Sequence, residues 1–327
     1  GYCGYVEYGE GELYVGILSH VDILDAGDMW VIPPFEGRIA DNKIYGRGTM
    51  DNKGPLIAAL YALKAVRDSG KKLNKKVRLI VGTDEERYYT DIKHYLQLEK
   101  PPIAGFTLDG QFPVVYAEKG LAMNEYRGTF AQGDEERIVY IKSGKSENTV
   151  PGYCEAYLKT ERKDEIVNAI SVFSRENRHN MSVRLVDDGV IIESYGMETH
   201  SMALEMGINA IFPVISFLNK LHFGKGDTRR LITFLNNYLC FELYGESLGI
   251  NYEDSFSGKL TLNWGILEYD GTEVRIRLDI RYPITCNFEE TKERLKEIFE
   301  SEGFTEYECS YWDPVYFPKE HFLIETL

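Results

Sequence analysis

Over the first third of the chain, short apolar runs of strand character alternate with a long run of helical spacing, and few architectures satisfy that pattern. Residues 13–18 form one apolar run, 76–81 a second and 103–108 a third. Between the first two, Leu56, Ile57, Leu60, Leu63 and Val66 recur at the spacing of one helix face, and Asp68-Ser69-Gly70 supplies the stop. Strands separated by helices argue for a mostly parallel α/β sheet, since parallel pairing needs a crossover that a helix fills. Each strand then runs into polar chemistry: Ser19-His20-Val21-Asp22, Gly82-Thr83-Asp84-Glu85-Glu86 and Asp109-Gly110. Asp51 stands just before the helix. Open α/β sheets collect ligands at the carboxyl ends of their strands. His20, Asp22, Asp51, Glu85, Glu86 and Asp109, far apart in sequence, are therefore expected on one rim.

The region 125–313 changes character. Val274, Ile276, Leu278 and Ile280 alternate with Glu273, Arg275, Arg277 and Asp279, which predicts a half-exposed strand. Residues 208–221 and 289–301 read as helices, and Asn148-Thr149-Val150-Pro151 and Thr199-His200-Ser201 read as turns. The expected fold class is α/β: a phosphorylase/hydrolase-like mixed, mostly parallel sheet flanked by helices, with an inserted α+β domain. The expected division is 1–124 for the first part of a metal-binding domain, 125–313 for the insertion and 314–327 for the start of the return. Residues 5–14 read as the opening of a hairpin and 322–327 as the first turn of a helix, so a fragment of a longer enzyme is expected.

Charge narrows the partners. The chain carries 37 basic and 52 acidic residues, a net −15. Phosphate binding needs a basic stripe, so nucleic acid is excluded as the main partner, and an anionic membrane surface is disfavoured for the same reason. The apolar stretch 206–219 is too short to span a bilayer and contains Pro213. The five cysteines (Cys3, Cys154, Cys240, Cys286 and Cys309) are scattered, odd in number and form no CxxC, which suits a reducing cytoplasm.

Taken singly, the site candidates are weak. His20-Val21-Asp22 sends both side chains to one face of a strand end, where a carboxylate can orient a metal-binding imidazole; a surface His beside a surface Asp is the plainer reading. Asp51 lies among Gly46, Gly48 and Gly54-Pro55, suited either to capping the helix or to holding a carboxylate between two cations. Asp84-Glu85-Glu86 is a solvated acidic loop, or a pair in which one glutamate binds metal and its neighbour acts as general base. Asp109 is a turn residue or a ligand. Together, one imidazole and several hard carboxylates on one rim suit zinc, cobalt or manganese better than calcium.

With these residues in place, the chain resembles the di-zinc metallopeptidase family of aminoacylase, carboxypeptidase and carnosinase type, and within it the bacterial peptidase V-like (Xaa-His type) dipeptidases. The stretches that carry the resemblance include His20-Val21-Asp22, Ala26-Gly27-Asp28-Met29-Trp30, Gly46-Arg47-Gly48-Thr49 with Asp51-Asn52-Lys53-Gly54-Pro55, Thr83-Asp84-Glu85-Glu86 and Leu108-Asp109. In the middle region they include Asn148-Thr149-Val150-Pro151, His200-Ser201-Met202 and Leu278-Asp279-Ile280-Arg281-Tyr282-Pro283. The resemblance implies two divalent metal ions, zinc first with manganese or cobalt as alternatives. His20 and Asp109 would hold one, Glu86 the other, and Asp51 would bridge them. It further implies Asp22 behind His20, Glu85 as general base and a cis peptide after Asp51. The inserted domain becomes a lid whose His200 reaches the substrate carbonyl and whose Asn148 and Arg281 face the substrate. A small peptide substrate and hydrolysis of dipeptides follow; the oligomeric state stays open.

Two departures accompany the resemblance. The family's second metal also takes a histidine from a glycine-rich segment near the C-terminus; here His321 is the only later histidine and has no such context, so the matching segment is expected beyond Leu327. The helix expected before the first strand is likewise missing. Two alternatives to a dipeptidase are an N-acyl-amino-acid amidohydrolase of the same family and a catalytically inactive, truncated metal-binding relative. Glu85 argues against the second, since a dead relative has no reason to keep a base beside its ligand. Arg281 is either a fork for a substrate carboxylate or one half of a structural ion pair with Asp279 or Glu273.

Overall fold

The computed structural model describes residues 2–27, 30–133 and 136–327. Asp28 and Met29 of the stretch 26–30 lie outside the described residues. The chain divides into two compact units, Gly1–Val115 with Lys319–Leu327, and Tyr116–Pro318.

The first unit is built on β1 (Gly4–Tyr8), β2 (Tyr14–His20), β3 (Lys76–Gly82) and β4 (Ala104–Thr107), in the order β1-β3-β2-β4. β2 pairs in parallel with both β3 and β4. The parallel core expected from the strand–helix alternation is therefore present. The hairpin expected at 5–14 is not: β1 pairs antiparallel with β3. β2 is buried or half-buried at every position, so it takes the interior place between two parallel neighbours, and β1 is left to the far edge of β3. Helix α1 (Gly54–Asp68) packs Ala59 and Leu63 with Leu79, whereas α2 (Thr90–Leu98) packs Tyr95 with Tyr14 and Ile80. Successive strand residues point to opposite faces, so Leu79 and Ile80 each meet a different helix and both faces of the sheet are covered. The helix expected near the end is Phe322–Thr326.

The second unit carries an eight-stranded antiparallel sheet. Its strands are β5 (Gly120–Thr129), β6 (Arg137–Ser143), β7 (Tyr153–Lys159), β8 (Asn180–Val186), β9 (Gly189–Tyr195), β10 (Thr261–Tyr269), β11 (Glu273–Tyr282) and β12 (Phe304–Trp312). Their order is β8-β9-β7-β6-β10-β11-β5-β12. β5 lies wholly in this unit and runs across residue 124. In β11, Val274, Ile276, Leu278 and Ile280 are buried at 1% exposure or less, and they share one core with residues of α3 (Lys163–Asn177), α4 (Ile211–Lys220), α5 (Gly226–Tyr238) and α6 (Phe288–Ser301). The predicted alternation thus separates a helix-packed face from a polar one carrying Arg275, Arg277, Asp279 and Arg281. Thr149–Val150 and Thr199–His200, expected in turns, instead pair as a two-residue antiparallel ladder, because their backbone groups satisfy one another across the sequence gap. Among the described residues, no helix is long and apolar enough to cross a membrane.

Candidate metal centre

His20 ends β2, and its side chain is 3% exposed. Three loops bring carboxylates to its Nε2: Asp51 at 3.1 Å, Asp109 at 3.3 Å and Glu85 at 3.8 Å. On the other side of the ring, Asp22 Oδ1 lies 3.3 Å from Nδ1. The second oxygen of Asp22 accepts the backbone N–H of Glu86 at 3.0 Å, which ties the end of β2 to the loop after β3. Two overlapping groups have ligand atoms within 4.8 Å of one another: His20, Asp51 and Glu86, and His20, Glu85 and Asp109.

Local backbone chemistry presents each group. Gly48 sits at φ 83°, a left-handed conformation that glycine adopts without strain, and the irregular helical turn Thr49–Lys53 follows. The Asp51-Asn52 peptide is cis. Asp51 does not cap α1: the cap position is Lys53, and it carries no side-chain cap bond. Asn52, fully buried, carries no sequence signal of its own, yet it links two strands' worth of chemistry. Its Nδ2 donates to Asp109 Oδ1 at 2.8 Å, and its Oδ1 accepts from the Ser19 hydroxyl.

The three adjacent acids after β3 separate. Asp84 turns away and accepts from the Thr90 N–H at 3.0 Å and the Thr90 hydroxyl at 2.5 Å. Glu85 accepts from the Tyr89 hydroxyl at 3.0 Å through one oxygen and faces His20 with the other. The loop is pinned by Asp91, fully buried, whose carboxylate accepts the N–H groups of Thr83 at 2.5 Å and Asp84 at 3.1 Å. A Cβ on Gly82 would stand 2.5 Å from that carboxylate oxygen. Because Asp91 is held by two donors, it cannot give way cheaply. Gly82→Ala is therefore expected to cost about 1–3 kcal/mol, the range for overpacking; thermal unfolding of the two proteins checks it, and an unchanged Tm would show that the loop relaxes freely.

The electrostatics favour the presence of added positive charge. Burial pulls the His20 pKa down, but Glu85, Asp109, Asp22 and Asp51 outweigh it, and the net shift is upward. Burial first, and then Asp109 and Asp51, push Glu85 up against the opposing Tyr89 hydrogen bond and His20. Glu86 is raised by burial and by the charges of Asp51 and Glu85. Carboxylates crowded around one imidazole are mutually destabilising unless positive charge joins them. An imidazole with several carboxylate oxygens is also a donor set that zinc, manganese or cobalt accepts. The residues present fit the group.

The remaining candidates gather within the second unit. His200 pairs with Thr149, and the N–H of Ser201 donates to the Asn148 carbonyl at 2.9 Å. His200 Nδ1 accepts the Met202 N–H at 3.1 Å. Partial desolvation, and next the Arg281 charge, lower its pKa, while Asp279 opposes them. Arg281 binds Asp279 through Nε at 2.9 Å and one Nη at 3.0 Å. The Asp279 partner, one of the two structural options for Arg281, is thus present. His321 caps the helix Phe322–Thr326, accepting the Leu323 N–H at 3.3 Å.

Comparison with known proteins bears on this site. The pattern of Peptidase family M20/M25/M40 matches residues 16–311. YtjP of Bacillus subtilis (strain 168), named as a candidate dipeptidase, is 33% identical over 335 residues, covering 100% of this chain and 71% of the relative. A protein of Staphylococcus aureus (strain MRSA252), named in the same way, is 32% identical over 309 residues, covering 92% of this chain and 66% of its own length. Among solved structures, the M20 family metallo-carboxypeptidase Sso-CP2 of Sulfolobus solfataricus superposes with a TM-score of 0.50 at 17% identity, over 99% of this chain and 70% of that one. At that identity the likeness speaks for the fold alone.

Proposed function

The chain belongs to peptidase family M20/M25/M40, and from that premise we propose that it is a metal-dependent dipeptidase. The observation that carries the proposal is the convergence of Asp51, Glu85 and Asp109, from three separate loops, within 3.1–3.8 Å of His20 Nε2. His20 and Asp109 would hold one divalent ion, Glu86 a second, and Asp51 both; zinc is the first choice, with manganese or cobalt compatible. When bound, such ions supply Lewis acidity toward a carbonyl oxygen and lower the pKa of water.

The chain's own residues do the rest. Glu85 takes the proton of the attacking water on the oxygen that faces His20, and later gives it to the leaving amine. Its raised pKa favours both halves of that exchange, because a base works best when its pKa approaches the working pH. Asp22 fixes the orientation of the His20 ring. His200 accepts a backbone N–H at Nδ1, so its neutral ring carries the proton on Nε2 and would serve as a donor to a developing oxyanion. Asn148 and Arg281 would face the substrate, with the guanidinium reading a terminal carboxylate.

Metal analysis together with a panel of dipeptides and N-acyl amino acids tests the reading. Bound divalent metal and turnover of free dipeptides are expected; hydrolysis of acyl amino acids alone would replace the dipeptidase by an amidohydrolase. A second measurement addresses recognition. Arg281→Ala is expected to weaken kcat/KM for free dipeptides by about 1.5–3 kcal/mol, the range for a hydrogen bond to a charged group. It should matter far less for a dipeptide amide, which offers no carboxylate. Arg281→Lys should also be impaired, since an ammonium cannot reproduce the fork. Equal losses on acid and amide would show that Arg281 supports the fold instead.

A further inference from the structure

The three candidates of the second unit are linked, one directly and two through Ser201, to a carboxylate that none of their roles requires. Asp279 lies on β11 with a side chain that is 0% exposed. A buried carboxylate is costly unless it is paired and hydrogen-bonded, and Asp279 is both. One oxygen takes Arg281 Nε at 2.9 Å; the other takes an Arg281 Nη at 3.0 Å and the Ser201 hydroxyl at 3.1 Å. Ser201 is the residue after His200, and its backbone N–H is bonded to the Asn148 carbonyl. A single carboxylate therefore anchors the Arg281 guanidinium directly and, through Ser201, the turn that carries His200 and leans on Asn148.

We propose that Asp279 is the positioning residue of this half of the site: it fixes the plane of the Arg281 guanidinium and the placement of the His200 turn relative to each other. The proposal rests on the dipeptidase reading for its kinetic consequences, but its structural core does not. Arginine has many rotamers and loses substantial freedom when it binds a substrate. A bidentate carboxylate at Nε and one Nη removes that freedom beforehand, so the remaining edge of the guanidinium meets a substrate already oriented. Asn at position 279 keeps the size but turns an amide NH2 toward one guanidinium nitrogen, and it withdraws the charge.

Two readouts test this on the full chain. The first is independent of substrate: the Nε–H resonance of Arg281 in 1H–15N spectra, assigned by its loss in Arg281→Ala. It is expected to be ordered and slow to exchange in the wild type and lost or fast in Asp279→Asn, while other arginine signals persist. The second is kinetic. Asp279→Asn is expected to raise KM for free dipeptides about tenfold or more, as loss of a charge-assisted bond does, with a smaller effect on dipeptide amides. It should also lower kcat on both substrates, as Ser201→Ala alone is expected to do. In an Arg281→Ala background, Asp279→Asn should add no further acid-selective loss.

An Arg281 signal that stays ordered in Asp279→Asn overturns the proposal, as does unchanged acid-over-amide selectivity. A wild type that hydrolyses no dipeptide overturns the functional reading instead, and the spectra still decide the positioning. Should Asp279→Asn fail to fold, Ser201→Ala decides: a lower kcat with KM kept supports the link to His200, and an unchanged kcat overturns it.

Discussion

Glu85→Gln is expected to lower kcat by about 10²–10⁴-fold, the usual weight of a general base, with the metal content of the protein unchanged. The geometry makes this a sharp test, because it offers Glu85 two roles. The carboxylate belongs to a possible ligand group with His20 and Asp109, yet it stands farther from His20 Nε2, at 3.8 Å, than Asp51 or Asp109 at 3.1 and 3.3 Å. Its other oxygen is occupied by the Tyr89 hydroxyl, which steadies the side chain without neutralising it. Gln retains the size and the hydroxyl's acceptor, and removes only the capacity to take a proton. A base lost in this way stops turnover and leaves the ions in place; a ligand lost in this way releases an ion. Metal content measured beside kcat separates the two, and a Gln variant that keeps most of its activity would remove Glu85 from the mechanism altogether.

What the sequence made legible is what local periodicity and chain position control. The runs 13–18, 76–81 and 103–108 fall on β2, β3 and β4, because buried parallel strands are apolar at nearly every position, and the residues just past their ends fall on one rim because parallel strands end on the same side. His20, Glu85, Glu86 and Asp109 are brought together for that reason, and Asp51 joins them from the turn Thr49–Lys53 that leads into α1. The features that escaped are non-local. β1 pairs with β3 because β2 is claimed on both sides, a competition that no window of sequence displays. Asp84, Glu85 and Glu86 look equivalent in the chain, and only Thr90, Tyr89 and the pinning of the loop by Asp91 divide their tasks. Asn52 sits beside Asp51 in the chain, but its value lies in bridging Ser19 and Asp109, 33 and 57 residues away. Arg281 could be read from alternation as facing the polar side of β11; that Asp279 on the same side would claim two of its nitrogens was only one of two options. Side-chain partners across long separations carry no periodic signature.

The strongest effect on metal binding is expected from His20→Ala, and the reason lies in how the two ligand groups overlap. Each contains two carboxylates, and His20 is the one residue they share. Removing it takes the imidazole from both, whereas Asp109→Ala or Glu86→Ala touches one group each. The carboxylates that remain would keep their mutual repulsion and lose the side chain that partly relieves it, since their charges are what raise the His20 pKa against its burial. His20→Ala should therefore lose at least the ion that His20 and Asp109 would hold together, loosen the one left to Glu86 and Asp51, and abolish dipeptide hydrolysis. Asp22→Asn, which alters the partner on the far side of the ring and the carboxylate that accepts the Glu86 N–H, should weaken metal binding by about 10–100-fold, as loss of an outer partner commonly does. Asp109→Ala should fall between them and release one ion before the other in a chelator titration. Metal equivalents for the three variants, with thermal unfolding to confirm that each is folded, give the order His20, then Asp109, then Asp22. A folded His20→Ala protein that still holds its full metal complement would mean that the carboxylates alone form the site, and that the imidazole at the end of β2 serves the fold.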